Sequence, residues 1–249
     1  MARYFLKLSY KGTSYCGWQK QPSCNTVQEE LEKAIGLLLG KKTEVVGCGR
    51  TDTGVHAHEY YAHFEGELDF SLSTFEFRLN GILPNDMAIQ QVFPVTGEAH
   101  ARFDAISRTY RYYINYLKDP FSTDSSHYLY NTKLDLGKMN EAADYLTRVN
   151  DFSSFEKVGS DNKTSICKVH FAEWFDHDKG IYFEIRADRF LRNMVRAIVG
   201  TLIEVGKGNI NQSEFEEIIE EKNRSKAGVS VPAKGLFLWE LAYPLTVRL

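Results

Sequence analysis

Apolar and polar residues alternate from Ala2 to Tyr10, which predicts a strand buried on one face. Next, Thr26 and Glu29 stand at capping-box spacing, and Val27, Leu31, Ile35 and Leu38 share one face of the helix they open. Strands are predicted near Thr43–Cys48 and Val55–Phe64, then a helix near Thr74–Ile82 closed by Leu83-Pro84, then a strand over Met87–Val95. The order to this point is βαββαβ.

From about residue 105 that order returns. A strand is predicted over Ser107–Leu117, a helix over Leu136–Val149, strands over Ile166–Phe175 and Ile181–Ala187, a helix over Phe190–Gly206 and a last strand over Leu236–Tyr243. An added helix, Gln212–Lys222, interrupts the second half. The simplest architecture is α+β: two ferredoxin-like halves, residues 1–105 and 106–249, each with antiparallel strands and helices on one face, flanking a central cleft that would hold the site. The longer irregular connections, Lys118–Asn131 and Asn150–Ser165, suit partner-binding loops better than domain linkers.

Composition changes this picture only in part. A chain of 249 residues can bury a sizeable core. Its formal charge of -3 argues mildly against a nucleic-acid partner, since phosphates favour a basic surface. The charge is uneven, however: Glu214, Glu216, Glu217, Glu220 and Glu221 crowd one late helix while arginines gather elsewhere. Cys16, Cys24, Cys48 and Cys167 form no CxxC pair and no disulfide-dense spacing, as expected of a reducing cytosol. The N-terminus lacks the pattern of a leader, and no apolar run approaches the roughly 18 residues of a bilayer span. The expectation is a cytoplasmic protein with no membrane partner.

The stretch with the most chemistry is Gly49-Arg50-Thr51-Asp52-Thr53-Gly54-Val55-His56-Ala57, where an arginine and an aspartate lie in a glycine-bounded turn between strands. Such a turn can bend sharply and present Asp52 at a loop tip. The alternative is an ordinary Asx-turn, with the carboxylate serving nearby backbone N–H groups.

Arg189, Arg192 and Arg196 fall along one flank of the helix predicted from Phe190, with Asp188 as its N-cap and Leu191, Val195, Ile198 and Leu202 as its apolar stripe. Arg192 reads as part of a solvated basic face. Arg196 sits among Met194, Val195, Ala197, Ile198 and Val199, and a semi-buried arginine needs an anionic partner, for which Asp52 is the candidate.

Between Ala99 and Tyr116, Arg102, Arg108 and Arg111 interleave with Phe103, Tyr110, Tyr112, Tyr113 and Tyr116. Cations for phosphates and rings for unstacked bases suit looped RNA, but a plain strand also uses tyrosines. His56 and His58 share strand parity while His63 takes the other, and no acidic cluster completes a ligand set, so no metal site is expected. No phosphate loop, dinucleotide fingerprint or nucleophile elbow occurs, so no cofactor is expected either.

The nine residues from Gly49 resemble the signature Gly-Arg-Thr-Asp-Ala-Gly-Val-His-Ala of the TruA family of tRNA pseudouridine synthases, with Thr53 in place of alanine. Further blocks resemble that family in the same order: Tyr10–Gln21, Leu79–Pro84, Ala99–Phe103 with Arg108–Tyr112, Asp151–Phe155, Phe190–Gly200 and Pro232–Pro244. Lys11 departs from a more usual aspartate, and Glu59-Tyr60 from a usual Gly-Gln. The resemblance implies that Asp52 is the catalytic carboxylate, that Arg196 holds it in place, and that Tyr110 packs against the target uracil. It also implies that Arg50 fills the gap left by a flipped nucleotide, that the enzyme is a homodimer, and that its substrate is tRNA, at uridines 38 to 40 of the anticodon stem-loop. Arg102, Lys163 and Arg192 are further candidate RNA contacts.

Two other readings remain at this point. A non-catalytic RRM-like RNA-binding protein would share the βαββαβ order, although VHAHEYYAHF lacks the RNP1 pattern. A metal-dependent hydrolase built on the three histidines would need bound metal.

Overall fold

The computed structural model describes residues 1–160 and 162–247. Its class is α+β, and the chain divides into two compact units: Met1–Ile106 with the described residues from Leu238 on, and Ser107–Phe237.

In the first unit, β1 (Ala2–Tyr10) lies between β3 (His56–Gly66) and β4 (Met87–Val95), antiparallel to both, and the short β2 (Val46–Gly47) pairs with the far side of β3. Helices α1 (Val27–Leu39) and α2 (Leu72–Ile82) bury Val27, Leu31, Ala34, Ile35, Phe75 and Leu79. Each fully buried Leu or Ile among them contributes about 1.5–3 kcal/mol through removal from water. Thr26 caps α1 by accepting from Glu29 N, and Gly40, at φ 64, ends it. The reciprocal half of the expected capping box gives way to an ion pair of Glu29 with Lys33. Helix α2 starts two residues earlier than predicted because Ser71 Oγ accepts from Thr74 N. The end of β9 (Leu236–Ala242) joins this unit beside β3, with Trp239 stacked on His58 and Leu241 N donating to the Glu59 carboxylate.

In the second unit, β8 (Gly180–Ala187) lies between β5 (Ser107–Asn115) and β7 (Val169–His177), again antiparallel. A two-residue strand, β6 (His127–Tyr128), runs parallel to β5 inside a connection expected to be irregular. Helix α3 (Leu136–Tyr145) is seated on β7 by Asn140, whose amide accepts from Trp174 N and donates to Trp174 O. Helix α4 (Met194–Gly206) is buried around most of its circumference, and α5 (Gln212–Glu220) opens with a complete capping box between Asn211 and Glu214.

The start of α4 corrects the sequence reading. Asp188 is not its N-cap: Asp188 Oδ1 accepts from Lys168 N and Arg189 N, and the helix begins only after Asn193, which is left-handed at φ 66. Arg189 and Arg192 therefore precede the helix, and of the three arginines only Arg196 projects from it.

The cysteine reading is corrected too. Cys16 and Cys24 are joined in a disulfide across the loop before α1, with Cα atoms 6.1 Å apart, within the range a bridge needs. Cys167 is a buried thiol, and that burial pushes its pKa up to about 12.

Candidate active site

The loop carrying Asp52 is fastened to the end of β1, to the segment that follows it and to β3. Two of its fastenings are backbone bonds, Trp18 N to Thr51 O at 3.3 Å and Gly54 N to Tyr15 O at 3.3 Å. Three more use side chains: the Tyr10 and Thr51 hydroxyls lie 2.9 Å apart, Gly12 N donates to His56 Nδ1 at 3.0 Å, and Tyr60 OH donates to Gly49 O at 2.5 Å. The approach is close enough to demand glycine. A Cβ on Gly12 would lie 2.0 Å from Val55 O, and one on Gly17, whose φ is +85, would lie 2.2 Å from Thr51 O.

These bonds bear on the Asx-turn alternative. Val55 N donates to Asp52 O, the backbone carbonyl, at 3.1 Å, and Gly54 N is taken by Tyr15, so the turn closes through main-chain groups. Asp52 is half-buried and its neighbour Arg50 exposed, a placement that suits one group for chemistry and the other for contact with a large ligand.

The histidines are explained by the same packing. His56 and His63 are buried, and each Nδ1 accepts a backbone N–H, from Gly12 and Ala101 respectively. His58 is exposed and stacks on Trp239 at 4.1 Å. The expected common face for His56 and His58 fails because the register slips between Leu8↔Tyr60 and Tyr10↔Ala57, which breaks the two-residue alternation. Burial lowers the His63 pKa to about 4, with the nearby His100 and Arg3 adding to the effect.

The remaining candidates fall in two places. Arg102 belongs to the first unit, exposed on the loop after β4, with its guanidinium 5.7 Å from the Phe103 ring. Tyr110, Lys163, Arg192 and Arg196 belong to the second. Tyr110 lies half-buried on β5, edge-on to Phe190 at 5.0 Å. Lys163 is exposed on the connection before β7, and Arg192 is exposed while its carbonyl accepts from Lys157 N at 3.1 Å. Arg196, in the first turn of α4, is half-buried and donates from Nε to Val231 O at 2.7 Å.

Two of the arginines in the aromatic stretch have structural employment. Arg111 pairs with Glu184 at 2.6 Å and lies over Tyr182, and Arg108 donates to Asp188 O at 2.9 Å. Sequence reasoning missed Tyr10, Gly12, Tyr15 and Trp18 as the clamp on the Asp52 loop. Their signal was the glycine-and-aromatic block after β1, YKGTSYCGWQ.

Residues 142–244 match the family described as tRNA pseudouridine synthase. Similarity to particular members extends over the rest of the chain. It is 50% identical over 244 residues to the tRNA pseudouridine synthase A of Bacteroides fragilis, covering 97% of this chain and 96% of that one. It is 48% identical over 246 residues to that of Azobacteroides pseudotrichonymphae, covering 98% of each. A more distant relative, from Francisella tularensis, is 37% identical over 98% of this chain and 95% of its own. The chain belongs to the tRNA pseudouridine synthase A family. That membership displaces the RRM-like and hydrolase readings.

Proposed function

We propose that this protein isomerises uridine to pseudouridine in tRNA, with Asp52 as the catalytic carboxylate. The observation that carries the proposal is the fastening of the Asp52 loop, in a chain whose relatives bear the name tRNA pseudouridine synthase A over nearly full length. A loop clamped by five bonds and two close glycine contacts holds a carboxylate in one place.

The reaction balances without a cofactor. The N1–C1′ bond breaks, the retained uracil turns, a C5–C1′ bond forms, the C5 proton leaves to solvent and N1 takes a proton. Asp52 acts on the nucleoside, and each half of the chain, residues 1–105 and 106–249, is ferredoxin-like. Arg196 is its ionic partner, and the planar guanidinium suits two-point recognition of a carboxylate. Tyr110 packs against the uracil. Arg50 occupies the gap left by the flipped nucleotide, since a stacked base cannot reach a recessed side chain.

Arg102, Lys163 and Arg192 are exposed, which supports their use on phosphates. The targets are uridines 38 to 40 of the anticodon stem-loop, and the working form is a cytoplasmic homodimer. No helix among the described residues is long and apolar enough to cross a membrane.

The deciding experiment is release of tritium from tRNA carrying 5-tritiated uridine, with purified protein in EDTA. Stoichiometric release confined to the anticodon stem-loop is expected. Absence of release, or release only after metal is restored, would overturn the proposal.

A further inference from the structure

Arg196 is held by Val231 at two points. Its Nε donates to Val231 O at 2.7 Å while Val231 N donates back to Arg196 O at 3.2 Å, so one residue outside the helix grips both the side chain and the backbone of Arg196. Fixing Nε fixes the guanidinium plane, and with it the direction of the Nη edge. The position of Val231 therefore helps to set where that edge points.

Val231 belongs to a strap, residues 227–232, laid along α4. The helix is shaped to receive it. A Cβ on Gly200 would sit 1.9 Å from Val229 O, and a Cβ on Gly228 would sit 2.9 Å from the Thr201 backbone. Thr201 Oγ1 accepts from Gly228 N at 2.9 Å and itself donates to Ala197 O. Beyond the grip, the buried Tyr112 on β5 donates from its hydroxyl to Pro232 O at 2.9 Å.

The other anchor is a cation. Arg224 donates from Nη1 to Ala227 O at 3.3 Å and to Gly228 O at 3.1 Å, and from Nη2 to Ser230 Oγ at 2.9 Å. Ser230 Oγ also accepts from Asn193 Nδ2 at 2.6 Å, and Asn193 is the left-handed residue from which α4 starts. Among the described residues all the acceptors of Arg224 are neutral, so burying this guanidinium brings a desolvation cost with no carboxylate among them to offset it. Burial accordingly lowers its pKa. A half-buried cation whose partners among the described residues are a strap and its serine serves geometry.

We propose that Arg224, Ser230 and Asn193 are positioning residues for Arg196, fixing the strap that aims its guanidinium at the reacting site. The inference rests on the reading of Arg196 as partner of the catalytic carboxylate. It assigns roles to three residues that need touch neither the uridine nor Asp52. Because the three converge on Ser230 Oγ, that hydroxyl is the joint through which the strap and the start of α4 are kept in register.

The test uses Ser230→Ala, Ser230→Thr and Asn193→Gly, with Arg196→Met as reference, in single-turnover tritium release at saturating protein. Ser230→Ala removes the shared acceptor and Ser230→Thr returns it. Asn193→Gly keeps a backbone that glycine adopts freely and removes only the amide donor. Ser230→Ala and Asn193→Gly are expected to slow the chemical step about tenfold or more, as misplacement of a positioned group does, with the tRNA dissociation constant within about twofold. Ser230→Thr is expected to recover most of the rate, which general loosening of the fold would not allow.

Wild-type rates for Ser230→Ala and Asn193→Gly beside an inert Arg196→Met would overturn the positioning role and leave the reading of Arg196 standing. A fully active Arg196→Met would instead remove that reading and this inference with it. Arg224→Met, if it folds, is expected to match Ser230→Ala; the other variants decide the matter if it does not.

Discussion

The Tyr10 hydroxyl lies 2.9 Å from the hydroxyl of Thr51, the residue before Asp52 in the chain, and both residues are buried. The bond ties the end of β1 to the base of the loop that carries Asp52. Removing only the oxygen, in Tyr10→Phe, leaves the ring against Tyr60 but strands a buried hydroxyl, at a cost of about 1–3 kcal/mol. The expected outcome is a lower kcat at unchanged tRNA affinity. Thr51→Val added to Tyr10→Phe should cost less than the two separate losses summed, because the pair is removed together. Strict additivity in a double-mutant cycle would show that the hydroxyls do not act as a pair.

Asp52→Asn is expected to abolish turnover while keeping tRNA affinity within roughly tenfold, since one carboxylate among many phosphate contacts supplies chemistry rather than binding. Because the loop is closed by backbone bonds and the Tyr10, Tyr60 and His56 side chains, the variant should melt with the parent. Residual activity above a few per cent, in a protein that melts normally, would remove Asp52 from the reaction.

Arg196→Met and Arg192→Met are expected to differ. The first leaves the Val231 carbonyl without its guanidinium donor, costing about 1–3 kcal/mol, and stops turnover. The second takes an exposed cation from solvent and weakens RNA binding through lost screened attraction alone. Thermal melts and tRNA titrations of the two proteins check this, and equal behaviour in both assays would overturn the contrast.

This contrast was legible in the sequence for the right residue and in part for the wrong reason. Apolar neighbours marked Arg196 as semi-buried and left Arg192 to solvent, and that is where the two lie. The single flank of three arginines was an artefact of running the helical period through Asn193, whose left-handed backbone starts α4 later. Alternation read β4 to the residue, because both ends of Met87–Val95 coincide with the change of pattern. It failed at β6, where two residues are too few to show a period, and across the slip in β3 that separates His56 from His58. The reactive loop stood out through its glycines and family resemblance. The clamp on it did not, since a hydroxyl pair across 41 residues and a backbone N–H on His56 leave no local pattern. The Cys16–Cys24 bridge was missed because two cysteines eight apart carry no spacing signature of their own.

Stability should fall with acid through His63. In the fold its pKa is lowered to about 4, mainly by burial, whereas the unfolded chain titrates near the ordinary value of 6.5. The unfolded state therefore binds more protons between those values, so stability is intact above about pH 6.5 and is lost as pH falls toward 4, by on the order of 3 kcal/mol. Protonating Nδ1 would also displace the Ala101 N–H, the start of the turn that carries Arg102. Urea unfolding from pH 7 to 4 checks this, with His63→Gln expected to flatten the dependence. Parallel curves for parent and variant would exclude His63 as the titrating group.

Binding to tRNA should weaken steeply with salt despite a sequence pI near 6.2. Counterion release follows the phosphates actually contacted, so exposed cations such as Arg50, Arg102, Lys163 and Arg192 set the response rather than the charge of the whole chain. Five acidic residues, Glu214, Glu216, Glu217, Glu220 and Glu221, crowd α5 and the residue after it, so the net charge hides an uneven distribution. For about 4–6 phosphates neutralised, the slope of log K against log salt should lie near roughly -3 to -5, between the single-strand and duplex limits. The measurement is a titration of Asp52→Asn with tRNA across a salt series, because the inert variant holds substrate without consuming it. Removing one of the four cations should reduce the slope by about one unit and weaken binding to all tRNAs alike. A flat line for the parent surface would exclude an extended polyanion contact and leave the chain binding at most a nucleoside.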